Sequence, residues 1–173
     1  GRVLLLYDLN ALVDEMIPVL RQRLAAGVTL EARLARPLPK VLGDLTQLRQ
    51  LVTNLVQNAS EAMGRKEGGI ALSTSLVHAD RTYLDKTVLG GSLSEGDYVC
   101  LEVTDTGCGM GSLVQRHLFE PFTSTKHSGC GLGLAVVQGI VRASHGTLEV
   151  MSEEGKGSTF SVLLPASSTN VAA

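Results

Sequence analysis

Apolar residues recur along much of the chain at the three- and four-residue spacing of an amphipathic helix. The predicted helices span residues 8–24, 44–63 and 133–143, and a short helix is expected around 112–118. Asp8 and Asp44 precede the first two helices and are suited to cap their N-termini, because an Asp side chain accepts from free backbone N–H groups. Gly64 is suited to the C-cap of the second helix, which carries the strongest pattern.

Shorter segments alternate apolar and polar residues or are continuously apolar, as strands are. The predicted strands span residues 3–7, 28–34, 70–77, 98–104, 147–151 and 159–164. Pro37 and Pro39 break the pattern after the second strand. Residues 79–97 are polar and contain glycine, which predicts a surface excursion or a hairpin extension. The mixed order of elements favours a sheet covered by helices in two layers.

The composition is that of one globular domain of 173 residues, with 44% apolar and 18% charged residues. A net charge of −2 argues against a dedicated nucleic-acid binder, which is normally basic. The longest apolar run, residues 3–7, is far shorter than the roughly 18 residues of a membrane helix. With no secretory signal peptide, we expect a cytoplasmic setting. Because the chain begins with Gly1 rather than Met, we also expect a segment of a longer protein.

Asn54 and Asn58 lie four residues apart on the strongest predicted helix and therefore share one face. A carboxamide offers a neutral carbonyl oxygen, which suits a Mg²⁺ ion that already carries phosphate and water ligands. Two ordinary Asn residues on a helix flank remain the alternative. Asn is a poor helix former, however, so two of them in one strong helix call for a reason.

Directly after the strand at 98–104 comes Asp105-Thr106-Gly107-Cys108-Gly109-Met110. A carboxylate at the end of a strand, followed by two glycines, can accept a hydrogen bond from the exocyclic amine of a base while the backbone approaches the ring. A tight turn that uses Asp and Gly for their turn chemistry is the alternative.

The segment Gly129-Cys130-Gly131-Leu132-Gly133-Leu134 leads into the third helix. Its backbone N–H groups and the helix N-terminus can bind phosphate. A Rossmann fingerprint is excluded, because Leu134 replaces its last glycine and no strand precedes the segment. A Walker A loop is excluded as well, because the chain has no Gly-Lys-Ser/Thr triplet.

A fourth motif, Phe119-Glu120-Pro121-Phe122-Thr123-Ser124-Thr125-Lys126, lies between the second and third. Lys126 is close in sequence to the glycines and can reach a phosphate, although a loop pinned by two Phe with a solvated Lys has the same pattern. Each motif is weak alone. All four motifs in this order and spacing, however, are hard to reach by chance.

Together these motifs resemble those of the catalytic, ATP-binding domain of sensor histidine kinases, a branch of the superfamily shared with gyrase, heat-shock chaperone and mismatch-repair ATPases. The N box of that family resembles residues 48–62. Its G1, F and G2 boxes resemble 105–109, 119–126 and 129–134, and a last box resembles Gly157-Ser158-Thr159-Phe160.

The resemblance implies an α+β fold, a two-layer sandwich in which helices cover one face of a mixed, mostly antiparallel sheet. It implies a catalytic domain at 1–165, a lid at about 111–128 and a flexible tail at 166–173. ATP and Mg²⁺ are the implied ligands, held between the N-box helix and the lid.

The resemblance also assigns roles to single residues. Asn58 is the implied Mg²⁺ ligand, Asp105 accepts from the adenine amino group, and Thr159 supports Asp105. The other implied nucleotide contacts are Asn54, Gly107, Gly109, Lys126, Gly129, Gly131, Leu132 and Gly133.

Asn54 and Lys126 are the expected catalytic residues. Hydrolysing members of the superfamily usually carry a water-activating Glu at the position of Asn54, and a carboxamide is no comparable base. The γ-phosphate is therefore expected to go to a protein nucleophile. Many members carry Lys or Arg at the position of Glu61, and this chain departs from them and resembles the branch of the family with the pattern Asn-Ala-x-Glu-Ala.

None of the four histidines, His78, His117, His127 and His145, lies in the helical His-Glu or His-Asp setting of the phosphoacceptor in this family. The expected partners are therefore an upstream dimerisation domain that carries the acceptor His and the receiver domain of a response regulator. We expect a monomeric fragment of a homodimeric protein, with no nucleic-acid partner and no direct membrane contact. A nucleotide sensor without kinase activity and an ATPase of the same superfamily are the alternative functions.

Overall fold

The order of strands and helices along the chain follows from a computed structural model, which describes residues 4–116, 118 and 134–167. The strands are β1 (Leu5–Tyr7), β2 (Val28–Leu34), β3 (Val41–Gly43), β4 (Gly68–Ala79), β5 (Gly96–Asp105), β6 (Thr147–Glu153) and β7 (Gly157–Pro165). The helices are α1 (Leu9–Gln22), α2 (Leu45–Met63), α3 (Arg81–Lys86), α4 (Ser112–Arg116) and α5 (Leu134–Ala143). A 3₁₀ turn at Gly90–Ser92 follows α3.

Five strands form the main sheet in the order β2-β4-β5-β7-β6. Strands β2 and β4 are parallel, and the other three pairs are antiparallel. Strands β1 and β3 form a separate antiparallel pair. The mixed, mostly antiparallel α+β sandwich expected from the sequence is confirmed.

The long helices begin where the sequence predicts. The Asp8 carboxylate accepts from the backbone N–H of Ala11 at 3.2 Å, and the Asp44 carboxylate accepts from that of Gln47 at 3.1 Å. Both bonds satisfy N–H groups that have no partner inside a helix. Helices α1, α2 and α5 pack their apolar stripes against one face of the sheet, called the front face here, and form the main core with it.

The opposite, back face of the sheet is partly covered, which refines the expectation of helices on one face. Residues 79–97 were expected to be a surface excursion or a hairpin extension: their two ends extend the β4–β5 hairpin to Ala79 and Gly96, and α3 and the 3₁₀ turn lie between them. Leu84 of α3 is fully buried. It packs with Ala79, Tyr98, Cys100 and Leu163 in a second, smaller core. Tyr98 and Cys100 alternate along β5 with front-face residues, so the two cores lie on opposite faces.

Strand β3 was not predicted, because a three-residue strand between two prolines and a helix cap leaves almost no pattern. It also contacts the end of the chain. Ala166 forms a bridge with Val41, and the backbone N–H of Ser167 donates to the Lys40 carbonyl at 2.9 Å. These are the first two residues of the expected tail, and the remainder, 168–173, lies outside the described residues.

Helix α5 ends in a double hydrogen-bonded cap. The N–H of His145 donates to the Arg142 carbonyl at 3.1 Å, and that of Gly146 donates to the Val141 carbonyl at 2.9 Å. His145 adopts the left-handed conformation with φ +58°, as the residue after a helix often does. Within the described part of the chain, no helix is both long and apolar enough to cross a membrane.

Candidate nucleotide site

Asp105 ends β5 with its side chain on the front face, where it is 3% exposed. The backbone N–H of Gly107 donates to its Oδ1 at 2.8 Å, and the backbone of Ser158 also forms a hydrogen bond with this carboxyl. Burial raises the pKa of Asp105, and the two backbone hydrogen bonds partly offset that rise. A buried carboxylate held only by backbone N–H groups suits a ligand that donates a hydrogen bond, such as an amino group of a base.

The strand next to Asp105 places Ser158, rather than Thr159, beside it. Asp105 and Ser158 are cross-strand partners, whereas Thr159 pairs with Thr104. The Thr159 and Thr104 hydroxyls lie 3.0 Å apart, so they hydrogen bond with each other. Because neighbouring residues of a strand point to opposite faces, the geometry brings Ser158 to the carboxyl and does not bring Thr159 there.

Two glycines of the G1 loop (residues 105–109) let its backbone pack closely against the backbone of α2 and of β6. A Cβ atom at Gly107 would overlap the carbonyl oxygen of Ala62 in α2. Gly109 has φ +65°, and a Cβ atom there would overlap the carbonyl of Glu153. The backbone N–H of Cys108 donates to the Ala62 carbonyl at 2.9 Å, which ties the loop to α2. The expected contact of Gly107 and Gly109 with a base remains a prediction.

Two polar residues that the sequence did not single out hold the segment after the G1 loop. The Ser152 hydroxyl accepts from the backbone N–H of Met110 at 2.8 Å and lies 2.7 Å from the Ser158 hydroxyl. The Gln115 side chain in α4 donates to the carbonyls of Met110 at 2.8 Å and Ser152 at 3.0 Å. Isolated Ser and Gln residues carry no sequence signal for this role, because it depends on the packing of α4 against β6.

Helix α2, which contacts this loop through the Ala62 carbonyl, carries the two asparagines. Asn58 is only 5% exposed, and its Nδ2 has no hydrogen-bond partner. Asn54, one turn earlier, is half-buried. A buried donor without a partner costs about 1–3 kcal/mol, and a ligand or water that accepts from it would remove this cost. Asn58 lies one turn from Ala62, which contacts the G1 loop, so the structure brings α2 and Asp105 to one region.

The residues present fit a Mg²⁺ ion that binds together with a phosphate ligand. No group of three or more His, Cys, Asp or Glu side chains able to hold a metal occurs among the described residues. Mg²⁺ commonly binds through one or two protein oxygens and completes its shell with waters and substrate phosphates. The Asn58 carboxamide offers one such oxygen, and its unpartnered N–H suits a phosphate or water oxygen.

Five of the expected site residues lie outside the described residues. They are Lys126, Gly129, Gly131, Leu132 and Gly133, which belong to the F and G2 boxes. Their assigned contacts remain predictions. Of the expected lid at 111–128, the structure describes residues 111–116 and 118, and the other residues lie outside the described part.

Known proteins with similar sequences are sensor kinases. The chain is 38% identical over 162 residues to the sensor kinase CckA of Brucella abortus. The aligned region covers 91% of this chain and 16% of that protein. It is 34% identical over 163 residues to the sensor histidine kinase ZraS of Escherichia coli K12, covering 94% of this chain and 31% of that protein. The chain thus spans less than a third of the length of these two relatives.

Solved structures agree with this similarity. Full-length ShkA in complex with AMPPNP superposes with a TM-score of 0.73 and 28% identity, covering 96% of this chain and 32% of that one. The histidine kinase domain of the E. coli osmosensor EnvZ superposes with a TM-score of 0.64 and 26% identity, covering 97% of this chain and 92% of that one.

The described fold and the motif residues agree with a family match that covers most of the chain. The family model described as histidine kinase-, DNA gyrase B-, and HSP90-like ATPase matches residues 43–168. That segment begins just before α2 and ends just after β7, so it contains Asn58, Asp105 and the glycine-rich boxes. The chain belongs to the histidine kinase-, DNA gyrase B- and HSP90-like ATPase family, and its relatives are sensor histidine kinases.

Proposed function

We propose that this chain binds ATP with Mg²⁺ between α2 and the G1 loop and donates the γ-phosphate to a histidine on a separate dimerisation domain. The observation that carries the proposal is the pair of buried polar groups on the front face. Asp105 accepts from two backbone N–H groups and keeps further acceptor capacity, while Asn58 keeps an unpartnered donor. A purine amino group and a metal-bound phosphate are the chemical complements of these two groups.

Within this proposal Asp105 accepts a hydrogen bond from the exocyclic amine of adenine. The two backbone hydrogen bonds to its carboxyl, from Gly107 and Ser158, fix the orientation of the acceptor before the nucleotide arrives. A carboxyl held in place in this way discriminates against bases that present a carbonyl at the same position, because two acceptors would then face each other.

Asn58 and Asn54 act at the other end of the nucleotide. The Asn58 carbonyl oxygen would hold Mg²⁺, which neutralises phosphate charge when it is bound. The Asn54 carboxamide cannot take a proton from water, so it leaves the γ-phosphate for another nucleophile. The lack of a base at this position favours transfer to a protein over hydrolysis, and the kinase relatives support the same choice.

The expected partners follow from the same proposal. The four histidines of this chain lack the phosphoacceptor setting, so the acceptor is expected on a dimerisation domain elsewhere in the full protein. The receiver domain of a response regulator is the expected next acceptor. The full protein is proposed to act as a homodimer with this domain in the cytoplasm, either as a wholly cytoplasmic protein or with a membrane anchor elsewhere in the full chain.

The test is phosphotransfer with purified components. The dimerisation domain of the full-length protein is mixed with this chain, Mg²⁺ and γ-labelled ATP, and acid-labile phosphohistidine is measured over time. We expect labelling that requires both domains and Mg²⁺ and that is lost with Asn58→Ala. Normal ATP affinity without transfer would instead support a sensor module, and steady ATP hydrolysis by the chain alone would support an ATPase.

A further inference from the structure

Glu61 lies on the same face of α2 as the two asparagines. Asn54, Asn58 and Glu61 follow one another at intervals of four and three residues, so they lie within about 60° of one another around the helix axis. Glu61 is followed by Ala62, whose carbonyl accepts from the G1 loop. Glu61 is therefore on the part of α2 where the proposed nucleotide binds.

One oxygen of this carboxylate lacks a partner. Oε1 accepts from the Gln57 side chain at 3.3 Å. Oε2 is buried and has no hydrogen-bond partner. The ion pairs among the described residues do not include Glu61, and the nearby Arg65 and Lys66 are exposed. A buried carboxylate oxygen without a donor or a cation is unfavourable, so this atom calls for a charged complement.

The other unpartnered buried atom is one helical turn away. Within the described residues, Asn58 Nδ2 and Glu61 Oε2 are the two buried side-chain nitrogen or oxygen atoms without a partner. One is a donor and the other is an acceptor, and three residues separate them along α2. A hydrated cation next to a phosphate complements both, since it attracts the carboxylate while a phosphate or water oxygen accepts from the amide.

A carboxylate in this position has a definite electrostatic consequence. It repels the phosphates of a nucleotide that arrives without a metal, and it attracts a divalent cation that lies between them. Mg²⁺ is commonly held in proteins by one or two carboxylates together with substrate phosphates. Asn58 contributes no charge, so Glu61 is the group on this face that can supply it.

We propose that Glu61 is a second protein contact for the hydrated Mg²⁺ of the nucleotide and that it makes nucleotide binding strongly dependent on the metal. This inference rests on the proposed function, because it requires the nucleotide site on α2. It assigns a positioning role to a residue that departs from the Lys or Arg of many family members. A cation at this position would contact phosphate directly, whereas Glu61 reaches phosphate through the metal.

Both substitutions of Glu61 are expected to make ATP binding less dependent on the metal, because each removes the negative charge that repels metal-free phosphates. Glu61→Gln keeps the acceptor for Gln57 and removes the charge, so the gain in ATP affinity on adding Mg²⁺ falls by about tenfold. Glu61→Lys places a cation beside the phosphates, so ATP binds more tightly in EDTA than it does to the wild type. A merely structural role would give neither change.

The experiment is isothermal titration calorimetry of ATP into the chain, once with excess Mg²⁺ and once with EDTA. The variants are Glu61→Gln, Glu61→Lys and Asn58→Ala. Glu67→Gln is the matched control, because it removes the same charge from an exposed side chain beyond the end of α2. Circular dichroism confirms that each variant is folded. The quantity compared is the ratio of the Kd values in EDTA and in Mg²⁺.

The design separates the two claims. If the wild type binds ATP no better with Mg²⁺ than with EDTA, or not at all, the proposed function fails and this inference fails with it. Asn58→Ala is expected to remove the gain in ATP affinity on adding Mg²⁺, because it removes the proposed metal ligand. If the wild type shows this gain and Asn58→Ala loses it, but both Glu61 variants keep the wild-type ratio, only the inference is overturned. An equal fall in Glu67→Gln would also overturn it, because the effect would then come from overall charge.

Discussion

The two faces of the main sheet treat their buried polar groups differently. On the back face, the Tyr83 hydroxyl donates to Glu149 at 2.9 Å, and the Ser161 hydroxyl donates to Glu102 at 2.9 Å. On the front face, the buried Thr74 hydroxyl likewise donates to the Asn10 side chain at 2.7 Å, but on α2 Asn58 and Glu61 each keep one buried atom without a partner. Paired polar groups hold a fold together, whereas unpaired ones cost stability and are kept where a ligand completes them.

The two faces also differ in their buried titratable groups. On the back face, burial raises the pKa of the Cys100 thiol to about 12, and the pKa of Tyr83 is raised as well, chiefly by burial and by the hydrogen bond to Glu149. Both groups therefore stay neutral at physiological pH and pack as core residues. On the front face, the buried acid Asp105 points toward the place where a base is proposed to bind. The paired groups of the back face thus add to stability, whereas the two unpaired groups on α2 cost stability at the proposed site.

The largest expected effect tests the back face. Leu84 of α3 is fully buried in the second core, so Leu84→Ala should lower the free energy of unfolding by about 2–5 kcal/mol. Urea denaturation measures this loss. Leu76→Ala is the matched control, because Leu76 is 50% exposed on β4 and its truncation should cost less than about 0.5 kcal/mol.

The same variant tests whether the two faces are independent. Below the urea transition, Leu84→Ala should bind ATP with the affinity of the wild type, because α3 contributes no residue to the proposed site. A fall in ATP affinity that matches the loss of stability would show that the faces are coupled, and the comparison would fail.

A smaller change in the free energy of unfolding is expected from replacing Asp105 on the front face. The raised pKa of Asp105 means that its ionisation costs more free energy in the folded than in the unfolded chain. The stability that this group contributes is therefore fully present below about pH 4 and is lost as pH rises through the folded pKa. Asp105→Asn should therefore unfold at higher urea than the wild type at pH 7. The difference should shrink as pH falls toward 4, and a variant less stable than the wild type at pH 7 would contradict this sign.

Much of the fold was predictable from the sequence because its signals are local. The caps Asp8 and Asp44 satisfy N–H groups three residues away, and the strand at Val28–Leu34 was predicted with its observed ends. Strand β3 and helix α3 were not predicted. Strand β3 is too short for a pattern, and α3 depends on Leu84 entering a core whose other members come from distant strands.

The candidate site was predictable where a residue type carries the chemistry itself. Asp105 and Asn58 were recognised because a carboxylate after a strand and a carboxamide on a strong helix each call for a reason. Ser158 was missed in favour of its neighbour Thr159, because only the register of β5 and β7 decides which hydroxyl faces Asp105. The unpartnered oxygen of Glu61 could not be predicted either, since burial of one atom depends on packing.

The central claim is that the buried carboxyl of Asp105 recognises adenine. Its most direct test is calorimetric titration of ATP and GTP, with Mg²⁺, into the wild type and Asp105→Asn. The account predicts that the wild type prefers ATP and that Asp105→Asn weakens ATP binding by about tenfold to a hundredfold, because a charge-assisted hydrogen bond is lost. Unchanged ATP affinity in the folded Asp105→Asn variant would contradict the account.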